Sequence, residues 1–507
     1  MKRITAILLL IICVNSSYSQ QVHYSKVVKE ENEDINFEVL GKFDSTILIY
    51  KNIHSRHFLS VYDASMKLLR NVKLGFLPER TFNVDFVVQP KGLCLIYQYN
   101  KGGQIYCYGV TLSASGQELK RPVLLDTSKV SVVADKRIYS VVSSDDKKSF
   151  MLYKLHIRDE NLNLLTKLYD NQFNLIDSNR HMAQFEDDHE SWGDAALSNA
   201  GDFYLVRQKR INSTEGYGQC ELYVKKIHVS QSSFLEFSLE GRLVEDVRIK
   251  IDNKNEKVNL NALYYTSQNP HVQGLFAARA GKDGSVISNF NEFDSDLRAK
   301  INSSGKNDDA FDDLFLGNVF VRKNGSYLMV SESMYSRTTA DNRRTNRWDN
   351  FSFFPFSSIG NPYYYYNPYY YNYGFYRPPY YYNGFKSTRY FADDILVMSV
   401  DTGLRMQWNS LVTKKQFDDD NENFISYSTL LISGELHFFF VPDNRKNEVV
   451  ANVSVLPDGT TRRNPVLRGE SALYQFMPRL AKQVSAGEMI MPCTYRGNIV
   501  FAMIRWE

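Results

Sequence analysis

Apolar residues occur in short runs along this chain, and turn-forming residues separate the runs at close intervals. The first four runs cover residues 37–40, 46–50, 58–62 and 68–74. Runs of four to eight residues that are rich in β-branched and aromatic side chains and bounded by Gly, Asn, Asp or Ser are typical of β-strands. The pattern therefore predicts an all-β chain that is built from successive antiparallel hairpins.

The hairpin pattern repeats along the chain. Copies of an opening hairpin lie at 192–208, 314–331 and 425–441, and a closing turn recurs at 115–116, 171–174, 240–241, 283–284, 402–403 and 458–459. Four-stranded units repeated about every 40–60 residues indicate a β-propeller. We count seven units and a partial eighth at 473–506, whose fourth strand could come from residues 22–28. The sequence leaves seven and eight blades open.

Strand composition separates this prediction from other all-β architectures. The runs at 46–50, 93–97 and 436–441 are apolar at consecutive positions, so both faces of these strands should be buried. Packed blades bury both faces of a sheet, whereas a single lipid-facing sheet does not. An outer-membrane barrel and a pair of sandwich-like domains remain less favoured alternatives.

In its repeat architecture the chain resembles the β-propeller superfamily over nearly its whole length. It matches no named family, because it lacks repeated Trp-Asp strand endings, a sialidase-type Asp box and a Gly-Gly kelch signature. The resemblance implies a closed ring of four-stranded blades. Propellers include enzymes, adhesins and scaffolds, so the architecture does not choose a function.

The N-terminus has the features of a secretory signal peptide. Lys2 and Arg3 precede an apolar run at 4–14, and the small residues Ser17 and Ser19 follow it. This predicts a signal peptide at 1–19 and a propeller domain at 20–507. Lipid attachment at Cys13 is disfavoured but open. No later run is long enough for a transmembrane helix, so we expect an exported protein of a Gram-negative envelope, in the periplasm, on the outer-membrane surface or outside the cell.

Charge and cysteine content exclude several classes. With 60 basic and 57 acidic residues the net charge is +3, which argues against a nucleic-acid binder. Cys94, Cys107, Cys220 and Cys493 form no CxxC motif, so neither a disulfide framework nor a zinc module is expected. A bridge between Cys94 and Cys107 is not favoured, because the simplest hairpin register places them diagonally. No cofactor is expected.

A tyrosine-rich segment at 361–385 lies within a long insertion at 336–388. It has neither the period of two of a strand nor the 3.6-residue period of a helix, and four prolines interrupt it. Tyrosine offers a large contact area and a hydroxyl at low entropic cost. We therefore interpret the segment as an arm that binds an envelope protein or a surface glycan, the alternative being an expendable low-complexity insertion. The predicted binding residues are Tyr363, Tyr364, Tyr365, Tyr366, Tyr369, Tyr370, Tyr371, Tyr373, Tyr376, Arg377, Tyr380, Tyr381 and Tyr382.

Acidic stretches at 186–190, 308–313 and 418–422 fall in the predicted links between blades. A loop between the second and third strands of a blade leaves on the same side as these links, so all three should lie on the face that carries the insertion. The insertion begins with Arg337, Arg343, Arg344 and Arg347, which we expect to pair with the acidic links. None of the stretches matches a calcium-binding EF-hand loop, and solvated charge is the favoured interpretation.

Residues for catalysis are hard to identify. His54 and His57 should face opposite sides, and His189 lies in an acidic loop. No nucleophile elbow, P-loop or dinucleotide motif is present, and no metal site is predicted. We therefore expect a binding or scaffold protein and no enzyme. The alternatives are a propeller-type glycoside hydrolase with carboxylates in the central funnel and a structural component of a secretion or motility assembly.

Overall fold

The computed structural model describes residues 20–31, 35–130, 138–158, 161–185, 190–211, 216–302, 311–338, 341–345, 388–419, 423–442 and 449–506. All structural statements below concern these residues. Their regular elements are almost all β-strands, with an α-helix, α1 (Ser295–Asn302), and a 3-10 helix at Pro478–Leu480.

The strands form eight four-stranded antiparallel units, which we number as blades 1 to 8 in chain order. A first strand, β1 (Gln20–Tyr24), precedes blade 1. Blade 1 contains β2 (Asn36–Phe43), β3 (Thr46–Ile53), β4 (Arg56–Asp63) and β5 (Leu68–Lys73). Blade 2 contains β6 (Thr81–Gln89), β7 (Gly92–Lys101), β8 (Gln104–Ser113) and β9 (Val123–Lys129). Blade 3 contains β10 (Ser140–Ser143), β11 (Ser149–Arg158), β12 (Asn161–Asp170) and β13 (Leu175–Gln184). Blade 4 contains β14 (Glu190–Leu197), β15 (Phe203–Arg210), β16 (Tyr217–Lys225) and β17 (Ser233–Phe237).

The second half of the chain repeats this order with two variations. Blade 5 contains β18 (Leu243–Asp252), β19 (Lys257–Thr266), β20 (Asn269–Gly281) and β21 (Val286–Glu292). Blade 6 contains β22 (Leu314–Val321), β23 (Tyr327–Thr338), β25 (Thr388–Val400) and β26 (Met406–Val412), with two extra strands, β24 (Asp341–Thr345) and β27 (Gln416–Asp419). Blade 7 contains β28 (Ser428–Ile432), β29 (Glu435–Phe440), β30 (Val449–Val455) and β31 (Thr461–Arg468). Blade 8 contains the inner strands β32 (Tyr474–Phe476) and β33 (Lys482–Ser485), then β34 (Glu488–Tyr495) and β35 (Asn498–Trp506).

The two chain ends meet in blade 8. β1 pairs with β35 in antiparallel register, from Gln20 opposite Trp506 to Tyr24 opposite Ala502, and so supplies the outer strand of the last blade. This confirms that the N-terminal segment supplies the fourth strand of the last blade, although the strand is Gln20–Tyr24 and not the predicted 22–28. The structure resolves the open blade count as eight and confirms the β-propeller.

Each pair of neighbouring blades shares one buried apolar cluster. There are eight such clusters among the described residues, including one between blades 8 and 1. In β3 the side chains of Ile47 and Ile49 pack toward blade 8, while those of Leu48 and Tyr50 pack toward blade 2, and all four are fully buried. The runs of consecutive apolar residues thus reflect sheets that are covered on both faces.

Ring closure also involves a buried ion pair beside β1. The Lys51 ammonium lies 2.6 Å from the Glu31 carboxylate and donates a hydrogen bond to the Tyr62 hydroxyl at 2.7 Å. The Glu31 carbonyl oxygen accepts a hydrogen bond from the Ile499 amide at 2.7 Å, so the same residue ties the link after β1 to blade 8. Burial lowers the pKa of Lys51, and the Glu31 carboxylate opposes that shift.

A single turn type joins the third and fourth strands in six blades. The amide of the first turn residue bonds the carbonyl of the fifth, and the fourth residue has a left-handed backbone with φ between 59° and 90°. In three blades the left-handed residue is apolar and buried against the preceding blade; these residues are Met66, Phe173 and Leu404. In the other three it is glycine; at Gly459 a Cβ would lie 2.8 Å from the Trp408 ring of the preceding blade.

Two details of the sequence interpretation are settled by strand pairing. Gln98 is opposite Cys107 and Cys94 is opposite Thr111, and all four described cysteines are free and buried. The disfavoured Cys94–Cys107 bridge is therefore absent. The turn at 240–241 is not a closing turn as predicted, because it links β17 to β18 and so joins blades 4 and 5.

We expect the Glu31→Ala variant to lose about 3–5 kcal/mol of unfolding free energy, because it leaves the buried Lys51 ammonium without its counter-charge. Urea denaturation measures this loss. The matched control is Glu31→Leu combined with Lys51→Met, which should recover most of the stability since no charge is then buried. Equal losses in the single and double variants would contradict this role for the pair.

We expect substitutions at Gly109 of blade 2 and Phe173 of blade 3 to have non-additive effects on the free energy of unfolding. A Cβ on Gly109 would lie 2.2 Å from the Phe173 ring, so Gly109→Ala should cost about 1–3 kcal/mol by overpacking. Phe173→Ala should cost about 3–5 kcal/mol by opening a cavity. The double variant should lose clearly less than the sum, since the new methyl group partly fills that cavity. Additive losses in chemical denaturation would argue against direct contact.

Candidate binding surface on blade 6

The long insertion leaves from the second and third strands of blade 6. β23 and β25 pair from Tyr327 opposite Val400 to Thr338 opposite Thr388, beyond the point at which the inner strand β22 begins. β24 adds to the outer part of β23, and β27 adds to the outer part of β25. The result is a ribbon on the ring face that carries the second-to-third-strand hairpins and the blade-to-blade links. We call this side the insertion face.

The predicted binding residues of the arm lie outside the described residues. This holds for all twelve tyrosines between Tyr363 and Tyr382 and for Arg377. The side chains of Arg343, Arg344 and Arg347 and the histidine at 189 also lie outside that part of the chain. The boundary at 336–388 and the role of the arm therefore stay predictions.

The described base of the ribbon carries a stack of aromatic and arginine side chains. The Tyr335 and Phe391 rings are parallel within 8°, with centroids 4.5 Å apart, and the Phe417 ring follows 6.2 Å from Phe391. The Arg337 guanidinium lies 5.5 Å from the Tyr335 ring and 5.4 Å from the Phe391 ring, and Arg389 lies 4.5 Å from Phe417. These distances are typical of cation–π contacts. We call these five side chains the ribbon-base stack.

The ribbon-base stack is accessible at its outer end. Phe417 is 39% exposed, and Arg337 and Arg389 are exposed as well. Arg389 holds Asp419 through two hydrogen bonds of 2.7 and 3.0 Å, and this contact lowers the pKa of Asp419. Arg389, which directly follows the predicted insertion, thus pairs with Asp419 of the acidic link at 418–422. It is not one of the four arginines that were predicted to make this contact. The predicted Arg337 instead covers the aromatic rings.

A buried polar network supports the ribbon from below. The Lys414 ammonium lies 2.7 Å from the Glu332 carboxylate, and both side chains are fully buried. The Ser426 hydroxyl donates to Glu332 at 2.5 Å, and Lys414 also donates to the Gln416 side-chain oxygen at 2.7 Å. Gln416 in turn donates to the Val441 carbonyl at 2.8 Å. The network fixes the link to blade 7, and with it β27, against the ribbon.

The other acidic links are also engaged where the structure describes them. Glu190 receives two hydrogen bonds from Arg207, at 2.7 and 3.1 Å, and Asp312 contacts His271 at 2.7 Å. The favoured interpretation of solvated charge is therefore wrong for Glu190, which is buried and paired with Arg207. The Asp312 side chain is 28% exposed and hydrogen-bonded to a histidine that is remote in sequence. In the described ranges, no group of three His, Cys, Asp or Glu side chains is arranged to hold a metal ion.

Carboxylates near the ring axis come from the inner strands, as the funnel hypothesis requires. Glu38 on β2 is only 3% exposed, and burial, together with the neighbouring Asp85 charge, raises its pKa despite the opposing Lys482 charge. Asp85 on β6 accepts a hydrogen bond from Asn83 at 2.6 Å. Glu38 lies between packed blades, so it is not displayed to a substrate in this conformation.

Comparisons with known proteins concern the fold of the chain and assign it to no family. No protein-family model matches the chain, and no curated protein matches it. Among solved structures it is similar to a prolyl endopeptidase, with 9% identity, a TM-score of 0.41 and coverage of 92% of this chain and 55% of the other. It is also similar to Sqt1 of Saccharomyces cerevisiae, with 7% identity, a TM-score of 0.40 and coverage of 96% and 99%. An oligogalacturonate lyase in complex with manganese shares 10% identity, with a TM-score of 0.34 and coverage of 84% and 96%.

These comparisons contradict the expectation that the chain is no enzyme. Several similar structures belong to enzymes, including the prolyl endopeptidase and the lyase. The expectation rested on missing local motifs, and propeller enzymes can draw their catalytic residues from separate blades. We therefore withdraw it. The chain spans about half the length of the prolyl endopeptidases it matches, and the likeness at these identities concerns the fold alone.

We expect the two ion pairs of the ribbon to differ sharply in their effect on stability. Glu332→Gln leaves the buried Lys414 charge without its partner and should cost about 3–5 kcal/mol of unfolding free energy. Asp419→Asn removes an exposed pair and should change it little, since solvent and salt screen surface charges. Chemical denaturation of both variants checks this. A large loss for Asp419→Asn would show that the surface pair holds the ribbon in place.

Proposed function

We propose that this chain is an exported binding propeller of the cell envelope. Its insertion face engages a partner protein through the arm at 336–388 and the ribbon-base stack. The observation that carries the proposal is the stack of Tyr335, Phe391 and Phe417 with two arginines at the root of the arm. Aromatic and arginine side chains are the residues that most often dominate binding energy at protein interfaces.

The geometry of the base supports this proposal in two ways. The stack stands on paired strands and on the buried Glu332–Lys414 network, so its side chains are held in place before a partner binds. Such preorganisation lowers the entropic cost of association. The Phe417 ring, 39% exposed at the outer end of the stack, adds an accessible aromatic contact of the kind that is enriched at protein interfaces.

Export is part of the proposal and rests on the features of the N-terminal sequence. Among the described residues, no helix is long and apolar enough to span a membrane. A surface glycan is the alternative ligand for the arm, and the experiment below distinguishes it from a protein.

The test is a crosslinking pull-down from envelope extract with the wild-type protein and with a variant whose residues 337–388 are replaced by a short Gly-Ser turn. Circular dichroism first establishes that the variant ring is folded. We expect a protein partner that is lost with the replacement. The variant Phe391→Ala with Phe417→Ala, which keeps the arm, should weaken capture at least tenfold, since each stacked ring contributes to the interface.

The matched control is Leu175→Ala with Met182→Ala, which removes two exposed apolar side chains from β13, the outer strand of blade 3. It should leave capture unchanged. Capture that survives the Gly-Ser replacement would overturn the role of the arm. Capture that is abolished by glycosidase treatment of the extract would identify the ligand as a glycan.

A further inference from the structure

Blade 2 carries four tyrosines on one face of its sheet. Tyr97 and Tyr99 lie on β7, and Tyr108 and Tyr106 lie directly opposite them on β8. The rings are parallel within 23°, and neighbouring centroids are 5.6–6.4 Å apart. Tyr97 is buried at the lower end, whereas the other three are partly exposed. We call this group the tyrosine array.

Strand register extends the tyrosine array with a polar row. Lys101 lies opposite Gln104, and Gln104 lies opposite Lys129 on β9. Side chains two positions apart share a face of a strand, and directly opposite residues share that face across the sheet. Lys101, Gln104 and Lys129 therefore lie on the same face as Tyr99 and Tyr106, one step nearer the edge of blade 2 on the insertion face.

The two lysines of this row have no counter-charge in the described part of the chain. Lys101 and Lys129 are exposed, and neither forms an ion pair or hydrogen bond through its ammonium group there. Nearby lysines behave differently: Lys154 and Lys167 both contact Asp126, at 2.9 and 3.0 Å. The Lys101 and Lys129 ammonium groups therefore have no partner among the described residues, and this favours an anionic ligand.

We propose that the tyrosine array and its lysine row bind a carboxylated polysaccharide. The apolar face of a sugar ring packs against Tyr99 and Tyr106, whose large rings bury area at little entropic cost. The Lys101 and Lys129 ammonium groups donate hydrogen bonds to the sugar carboxylates, and the Gln104 side chain bonds the hydroxyls. A nearly neutral net charge of +3 disfavours a nucleic acid as the anionic polymer.

This site is independent of the arm, because it lies on blade 2 and the insertion leaves from blade 6. The proposed function can fail while this site stands, and the reverse is also true. An acidic protein segment is the competing occupant.

The test is titration of the protein with alginate, a carboxylated polysaccharide, and with neutral dextran as the control ligand. We expect alginate binding that weakens as salt is added, and no dextran binding. Lys101→Gln with Lys129→Gln should weaken alginate binding at least fivefold. Tyr99→Ala with Tyr106→Ala should weaken it at least tenfold. Lys148→Gln, which removes a lysine whose side chain is 81% exposed on the opposite ring face, should have no effect.

Two further variants keep the test decisive. Tyr99→Phe with Tyr106→Phe retains the two aromatic rings. Because the proposal assigns these rings the contact with the sugar, this variant should bind alginate within about twofold of wild type. The Gly-Ser replacement of 337–388 should bind alginate normally. Equal alginate binding by the lysine variant and by Lys148→Gln would overturn the proposal, as would binding of dextran and alginate with equal affinity.

Discussion

The packing of each blade against both of its neighbours is the constraint on which the rest of this structure depends. A sheet such as blade 1 is apolar on both faces, so it becomes stable only when blade 8 covers one face and blade 2 covers the other. The eight shared clusters therefore require a closed ring. β1 closes the ring. It pairs with β35 and supplies the fourth strand of blade 8, whose other strands come from the C-terminal part of the chain. Removing β1 would expose the edge of β35 and the part of the apolar cluster between blades 7 and 8 that Val22 and Tyr24 cover.

Closed packing also explains where the molecule places its buried charges. The Lys51–Glu31 pair lies where the chain ends meet, and the Lys414–Glu332 pair lies where the insertion enters blade 6. A buried pair adds little net stability, but either partner without the other is strongly unfavourable. Each pair therefore fixes one arrangement of its segment.

The sequence predicted the hairpins, the repeat and the N-terminal strand, because these depend on local periodicity. It left the blade count open, since the 3-10 helix at Pro478–Leu480 divides the inner strand of blade 8 into β32 and β33. It missed the ribbon-base stack, although Tyr335 and Arg337, and likewise Arg389 and Phe391, alternate as same-face neighbours do on strands. Their meeting with Phe417 and Asp419 depends on β27 joining β25, a pairing with no local signal.

Topology concentrates the aromatic surface on one side of the ring. In a four-stranded antiparallel blade, the second-to-third-strand hairpin and the link to the next blade leave on the same face. The tyrosine array of blade 2, the ribbon-base stack of blade 6 and the contacting Tyr474 and Tyr495 rings of blade 8 all lie near that side. The opposite face carries the tight turns between third and fourth strands, and in three of them a side chain, such as that of Phe173, is buried against the preceding blade. One face is thus committed to holding blades together, which leaves the insertion face as the surface on which long loops and exposed rings can vary without disturbing the core.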